Sequence, residues 1–359
     1  MNALKILAIN PGSTSTKLAI YHGEIIILNE TIRHKDEELA GFSSVIEQKG
    51  YRMQQLEKLL VHEGHLLEEF DGIVGRGGFL SPLKSGTYIV NNEMIHDLET
   101  AKYGEHASNL GAIIAYDLAS SVGIAAFIVD PIVVDELTDM ARLSGIPELE
   151  RKSHLHALNI KAVSRKVANT IGRPYECFNF IVAHIGGGIS IAAMEKGRII
   201  DVNNGNNEGP YSPERAGGLP SKELIHLCYS GQFTEKEMIS KVTKEGGLYA
   251  YLGTKSVIEA EERAIQGDIH AQKILEGMIY QLAKEIGAMS TVVNGEIDGI
   301  ILTGGVSYSE FIINRLRKKI QFLAPVFVQP GEEELEALAF GALRVLSGEE
   351  EGNYYQNPN

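Results

Sequence analysis

Cysteine is nearly absent from the 359-residue chain: Cys177 and Cys228 stand alone, far apart and in no metal-binding spacing. Two such thiols build neither a disulfide scaffold nor a zinc site, and they fit a reducing compartment. Long apolar runs are missing too. None approaches the roughly 18 residues that a membrane helix needs. The run Leu4–Ile9 stops at Asn10-Pro11-Gly12, too short and too tightly punctuated for a secretory leader. A cytoplasmic protein with no membrane partner is expected. Positive charge is in deficit, with 33 Lys+Arg against 47 Asp+Glu and a net charge of −14. Nucleic-acid binding draws on basic neutralisation of phosphates, so no nucleic-acid partner is expected, and a small anion needs its own local Arg, Lys or His. The chain is otherwise 44% hydrophobic and 22% charged, as folded globular proteins are, and long enough for two domains.

Glycine is abundant, 38 of 359 residues, and clustered. Lys5–Asn10, Pro11-Gly12, Leu18–Tyr21 and Gly23 reappear as Asn179–His184, Ile185-Gly186, Ala192–Glu195 and Gly197, at an offset of 174 in each case. Each copy reads as strand, Gly-containing turn, strand, turn, strand. Asp71-Gly72-Ile73-Val74-Gly75-Arg76-Gly77-Gly78 resembles Asp298-Gly299-Ile300-Ile301-Leu302-Thr303-Gly304-Gly305 at an offset of 227. The pattern predicts two duplicated α/β domains with mixed sheets flanked by helices. An insertion around 203–256 falls in the second, and the site lies in the cleft between domains, where ligands commonly bind. The expected boundaries are 1–150 plus 335–359, and 151–334. Helical periodicity spans Gln54–Glu69, His106–Val122, Ser153–Ile171, Ile269–Val293, Ser309–Phe322 and Glu333–Leu346, the last returning to the first domain. The polar tail from Ser347 is expected to fray.

Four segments carry candidate chemistry. Asn10–Lys17 has the parts of a phosphate cradle: Gly12 for close backbone approach, Ser13 and Ser15 as donors, Lys17 as charge. The same residues suit an ordinary hairpin turn. Gly186, Gly187 and Gly188 follow a buried strand, where close approach of a ligand offsets their folding cost. His184 takes Asn10's place in the duplication, as a structural or a functional histidine. Gly304-Gly305 forms either a nucleotide edge or a tight turn. Arg76 and Arg215 stand among glycines, as anion clamps or as surface side chains.

Neither duplicated strand end is acidic: the residues are Asn10 and His184. A kinase acting on an alcohol commonly places a carboxylate near the γ-phosphate. A carboxylic acid, with a pKa of about 4, arrives ionised and needs cations instead. Phosphoryl transfer between ATP and a carboxylate follows as the expectation, with Asp130 the alternative source of a base.

These segments, with Pro213-Glu214-Arg215 and Pro330-Gly331-Glu332-Glu333-Glu334-Leu335, resemble the acetate/butyrate kinase family over nearly the whole chain. Val74–Gly78 and Arg215–Pro220 look like the butyrate branch more than the acetate branch. The family belongs with sugar kinases, Hsp70 chaperones and actin. The resemblance implies reversible in-line transfer from ATP to butanoate with Mg²⁺, in a homodimer or larger homo-oligomer. It implies Arg76 and Arg215 on the carboxylate and the phosphoryl group, and His184 on the phosphoryl group. His156 takes the other active-site histidine position, with His154 its rival, and His106 a further one. Asn10, Asp130 and Glu333 organise the nucleophile and the metal shell, and Gly186, Gly188, Gly304 and Gly305 line the nucleotide site. Gly78, with Leu155 on the wall, is expected to leave room for a longer acyl chain. The alternatives are an acetate, propionate or branched-acid kinase and, in another class, an ATP-binding chaperone-like or regulatory module.

Overall fold

The computed structural model describes residues 3–357 and divides the chain into two units, Met1–Asp135 with Glu333–Asn359, and Glu136–Glu332. In the first unit, β1 (Lys5–Pro11), β2 (Ser15–His22) and β3 (Ile25–Arg33) form an antiparallel meander. β4 (Gly72–Gly75) and β6 (Ala125–Val129) add in parallel beyond β1, followed by antiparallel β5 (Thr87–Ile89). Ile6–Ile9 of β1 and all of β4 are buried, as strands covered on both faces must be. Gly72 faces Leu346 of the helix Glu334–Leu346, and Gly75, on the other face, meets Gly111 of the helix Asn109–Val122. One helix therefore covers each face, and the last helix packs on the first unit's sheet.

The second unit repeats this plan. β7 (Asn179–Ile185), β8 (Ile189–Glu195) and β9 (Arg198–Val202) form the meander, and β10 (Gly299–Gly304) and β11 (Val326–Pro330) add in parallel beyond β7. The duplication extends to single hydrogen bonds. Lys5 N donates to Asp71 Oδ2 (2.7 Å) and Asp71 N to Lys5 O (2.8 Å). At the same offsets, Asn179 N donates to Asp298 Oδ2 (2.7 Å) and Asp298 N to Asn179 O (2.9 Å). The insertion is four short helices, Ser221–Cys228, Glu235–Thr243, Gly247–Leu252 and Val257–Ile265, between β9 and the long helix Ile269–Val292. None of the described helices is long and apolar enough to cross a membrane.

Four features differ from the sequence expectation. The helix expected over Gln54–Glu69 spans Lys49–His62, with a separate short turn at Leu67–Glu69. Residues 136–150 lie with the second unit, where Glu136 Oε2 accepts from Lys161 Nζ and Ile199 N, each at 2.8 Å. The helix expected from Ser153 starts at Ala157, which leaves His154 and His156 in the loop before it. The tail does not fray over its described length. β12 (Asn353–Tyr354) pairs with β5, and buried Tyr355 donates to Asp97 Oδ2 (2.7 Å) and meets Ser81 Oγ at 3.1 Å. Strands of two or three residues are too short for a periodic signal, which is why β5 and β12 are invisible in the sequence.

Candidate functional site

In the first unit, Asn10 and Arg76 stand at the ends of neighbouring parallel strands, and Arg76 N donates to Ile9 O (2.9 Å). One carboxylate joins them: Asn10 Nδ2 donates to Glu334 Oε2 (2.5 Å), and Arg76 Nη1 lies 3.0 Å from Glu334 Oε1. Glu334 was not a candidate in the sequence, where three glutamates run in succession. The helix that starts at Glu334 sets which of them turns back toward β1. Glu333, the expected metal ligand, lies near enough to buried Tyr21 to act on its pKa, which burial first and then Glu336 and Glu333 push up to about 12. Asp130 follows β6 with φ +38°, a conformation that costs a non-glycine residue energy. Its Oδ1 accepts from Gly86 N at 2.7 Å. His106 receives the Ser108 N–H on Nδ1 (3.2 Å) and packs edge-on against Phe79.

The space expected at Gly78 is filled. A Cβ there would lie 2.3 Å from Asn109 Oδ1 and 2.5 Å from its Cα. Asn109 in turn accepts from Phe79 N (2.9 Å) and donates to Gly104 O (2.9 Å). Glycine at 78 thus admits the helix Asn109–Val122, and Asn109 takes the space that its missing side chain leaves. Leu155 is buried within the second unit. Gly78→Ala is expected to destabilise the protein by about 1–3 kcal/mol, the usual cost of overpacking. Urea unfolding checks it, and an unchanged midpoint would contradict this reading.

The second unit gathers most of its expected residues. His184 ends β7, its ring stacked on His156 with centroids 3.8 Å apart. His156 Nδ1 lies 3.0 Å from Ser190 Oγ. His184 Nδ1 pairs with Asn159 Oδ1 (2.8 Å), which also accepts from Thr303 Oγ1 (3.2 Å), while Asn159 Nδ2 donates to Gly331 O (3.4 Å). That pattern assigns the amide orientation and puts a proton on Nδ1, turning Nε2 outward. Asn159 lies in the first turn of the helix Ala157–Ile171, three residues after His156, a spacing the sequence does show. Arg215 lies over the glycine loop: a Cβ on Gly188 would come within 2.7 Å of its Nη1. Ser212 pins the two loops together, donating to Gly187 O (2.5 Å) and accepting from Arg215 N (3.0 Å). His154 feels the Arg215 charge, so both histidines of the 154/156 pair belong to this array. Gly304 is held by packing, since a Cβ would lie 2.5 Å from Ile185 O, whereas at Gly305 nothing stands within 4 Å.

Three buried side-chain nitrogens among the described residues have no hydrogen-bond partner: Arg76 Nη1, His184 Nε2 and Arg215 Nε. Glu334 Oε1 and Glu332 Oε1 each lie 3.0 Å from the first two, within ion-pair distance but without hydrogen-bond alignment. Buried polar groups are almost always satisfied. Here the exceptions fall on three residues singled out as anion contacts in the sequence.

Burial holds His34, His106 and His154 below the usual imidazole range, helped by Arg52, Arg76 and Arg215 respectively. The unfolded chain therefore binds more protons than the native state below about pH 6.5. Stability should be full above that value and decline as pH falls from about 7 toward the lowered native values. Thermal melts from pH 8 to 5 check this, and a flat or rising Tm on acidification would contradict it.

Buried side-chain nitrogens without a hydrogen bond, two of them on arginines, thus stand beside glycine turns on a duplicated pair of mixed sheets. The model of the acetokinase family matches residues 145–347. The chain is 49% identical to butyrate kinase 2 of Clostridium acetobutylicum, over 98% of this chain and 99% of that protein. Its fold matches acetate kinase of Porphyromonas gingivalis with a TM-score of 0.79 at 19% identity, covering 95% of this chain and 99% of that one. Propionate kinase from Francisella tularensis matches with a TM-score of 0.71 at 18% identity, over 94% and 98%. The chain belongs to the acetokinase family and is a phosphotransferase with a carboxyl acceptor.

Proposed function

We propose that the protein transfers the γ-phosphoryl group of ATP reversibly to butanoate, giving butanoyl phosphate and ADP. The three buried nitrogens without a hydrogen bond on Arg76, His184 and Arg215 carry the reading, and the 49% identity to a butyrate kinase supports the acyl group. Butanoate arrives ionised, so no side chain need abstract a proton. Arg76 and Arg215 bind the carboxylate and the moving phosphoryl oxygens, where a planar guanidinium gives paired donors. With Nδ1–H held by Asn159, the His184 ring presents Nε2 to the same phosphoryl group, to which it donates when that nitrogen also carries a proton. Ser13, Ser15 and Lys17 cradle phosphate, and Gly186, Gly187, Gly188 and Gly305 admit the nucleotide. The first unit thus serves as the carboxylate and phosphate wall and the second as the nucleotide domain.

Mg²⁺ in kinases is held by one or two carboxylates together with substrate phosphates. The carboxylates at the start of the last helix and the Asn10 amide fit that donor set, with Glu334 already on Asn10. When bound, the ion would neutralise phosphate charge.

Trapping acyl phosphate with hydroxylamine across two- to six-carbon acids tests the proposal. Hydroxamate should form fastest with butanoate. No product with any acid would overturn the reaction, and faster turnover of acetate at equal concentration would overturn the acyl preference. Neighbouring chain lengths should react as well, since a methylene is worth only ~1–3 kcal/mol in such pockets.

A further inference from the structure

The helix Lys49–His62 buries three side chains, Arg52, Leu56 and Leu60. They stand four residues apart on one stripe, so an arginine occupies an apolar position. Arg52 is only 1% exposed. Burying a charge is costly unless its donors are satisfied, and here the acceptors come from the phosphate hairpin. Nη1 donates to Gly12 O (2.8 Å), Ser15 O (3.1 Å) and Thr16 Oγ1 (3.2 Å), and Nη2 to Ser13 O (3.1 Å). Gln48 Oε1 takes Nε and Nη2 at 3.1 and 2.8 Å. Every one of these acceptors is neutral, so the positive charge remains beneath the turn.

We propose that Arg52 is a positioning residue that shapes the Gly12–Thr16 hairpin for a phosphate group. The peptide bonds are planar and trans, so each C=O points opposite to the N–H of the next residue. With the Gly12 and Ser13 carbonyls drawn onto the guanidinium, the N–H groups of Ser13 and Thr14 point away from it. Among the described residues those two N–H groups have no acceptor. Successive outward N–H groups make an anion-binding concavity, and the cation behind them adds a favourable field. A second chain of contacts fixes Thr16 from the side: Thr16 Oγ1 meets His34 Nε2 (2.9 Å), His34 Nδ1 meets Tyr51 Oη (3.3 Å), and Tyr51 donates to Glu38 Oε2 (2.9 Å). Arg52 touches no substrate and acts through the backbone it holds.

The inference rests on the reading of Asn10–Lys17 as the phosphate hairpin. Calorimetric ATP binding and steady-state kinetics on wild type, Arg52→Lys and Arg52→Gln test it. Arg52→Gln should weaken ATP binding about tenfold, the loss of roughly one charged hydrogen-bond set at 1.4 kcal/mol per decade. Arg52→Lys, which keeps the charge but has one donor centre, should fall between. KM for butanoate should stay within about twofold of wild type. A merely structural role would lower Tm and leave the ATP affinity of the folded protein unchanged. If Arg52→Gln does not fold, Arg52→Lys decides alone. A folded variant with wild-type ATP affinity, or one whose butanoate KM moves as far as its ATP KM, overturns the proposal. The hydroxylamine assay separates the two claims: wild type that makes hydroxamate while Arg52→Lys binds ATP normally refutes only the role of Arg52. Wild type that binds ATP in an Arg52-dependent way yet makes no hydroxamate refutes only the acid-kinase reading.

Discussion

Arg215→Ala should lower kcat by about 10³ or more, the range seen when an arginine stabilising a transferring phosphoryl group is removed. Arg76→Ala should do the same. Both guanidinium groups keep a buried nitrogen without a hydrogen bond, although Arg76 Nη1 lies 3.0 Å from Glu334 Oε1. Burial lowers the pKa of Arg215 from its ordinary value, yet an arginine remains charged throughout the working pH range. The glycine at 188 exists in the space Arg215 needs, since any Cβ there would collide with its guanidinium. Lysine at either position should recover little, because a point charge cannot form the paired bonds of the planar fork. Steady-state rates of butanoyl phosphate formation, with circular dichroism to confirm folding, check this. A loss of tenfold or less in both variants would remove the arginines from the chemistry.

Lys161→Met should cost about 3–5 kcal/mol of stability, the usual consequence of stranding one partner of a buried ion pair. Lys161 is fully buried, and its Nζ donates to Glu136 Oε2 (2.8 Å) and Gly197 O (2.7 Å). Glu136 also accepts from Ile199 N (2.8 Å), so the carboxylate ties the start of the second unit to both a helix and a strand. Removing the ammonium takes a buried 2.8 Å ion pair from that carboxylate. The double variant Lys161→Met, Glu136→Leu should regain part of the loss, since replacing a whole buried pair is far cheaper than breaking it. Urea unfolding of the two variants measures both effects. A single variant within 1 kcal/mol of wild type would show that the pair carries no structural strain of this kind.

The duplication was legible because it rests on strand-end glycines and on the apolar runs before them, and these are local. Asn10, Arg76 and His184 could be placed at strand ends from that pattern alone. What the sequence hid depends on helix phase and on packing between distant segments. Glu332, Glu333 and Glu334 are indistinguishable as letters; only the start of the last helix turns Glu334 to Asn10 and Arg76. Gly78 read as an opening because a missing side chain looks like room. The structure fills that room with Asn109, thirty-one residues along the chain. The tail looked solvated because its polar residues give no periodicity, whereas Tyr355 is anchored by partners more than two hundred and fifty residues away. Arg52 fell outside the helix expected from Gln54, so its place on the apolar stripe of Lys49–His62 was hidden, whereas Asn159, an amide three residues after a histidine, was readable in spacing.

The central claim is that the buried nitrogens of Arg76, His184 and Arg215 that lack a hydrogen bond are held for anions. Nitrogen-15 NMR of the labelled arginine and histidine side chains, titrated with ADP, aluminium fluoride and butanoate, addresses it most directly. Saturable shifts of Arg76 Nη, Arg215 Nε and His184 Nε2, larger than with ADP alone, are predicted. Unchanged resonances at all three, in a titration where other side chains shift and saturate, would contradict the account.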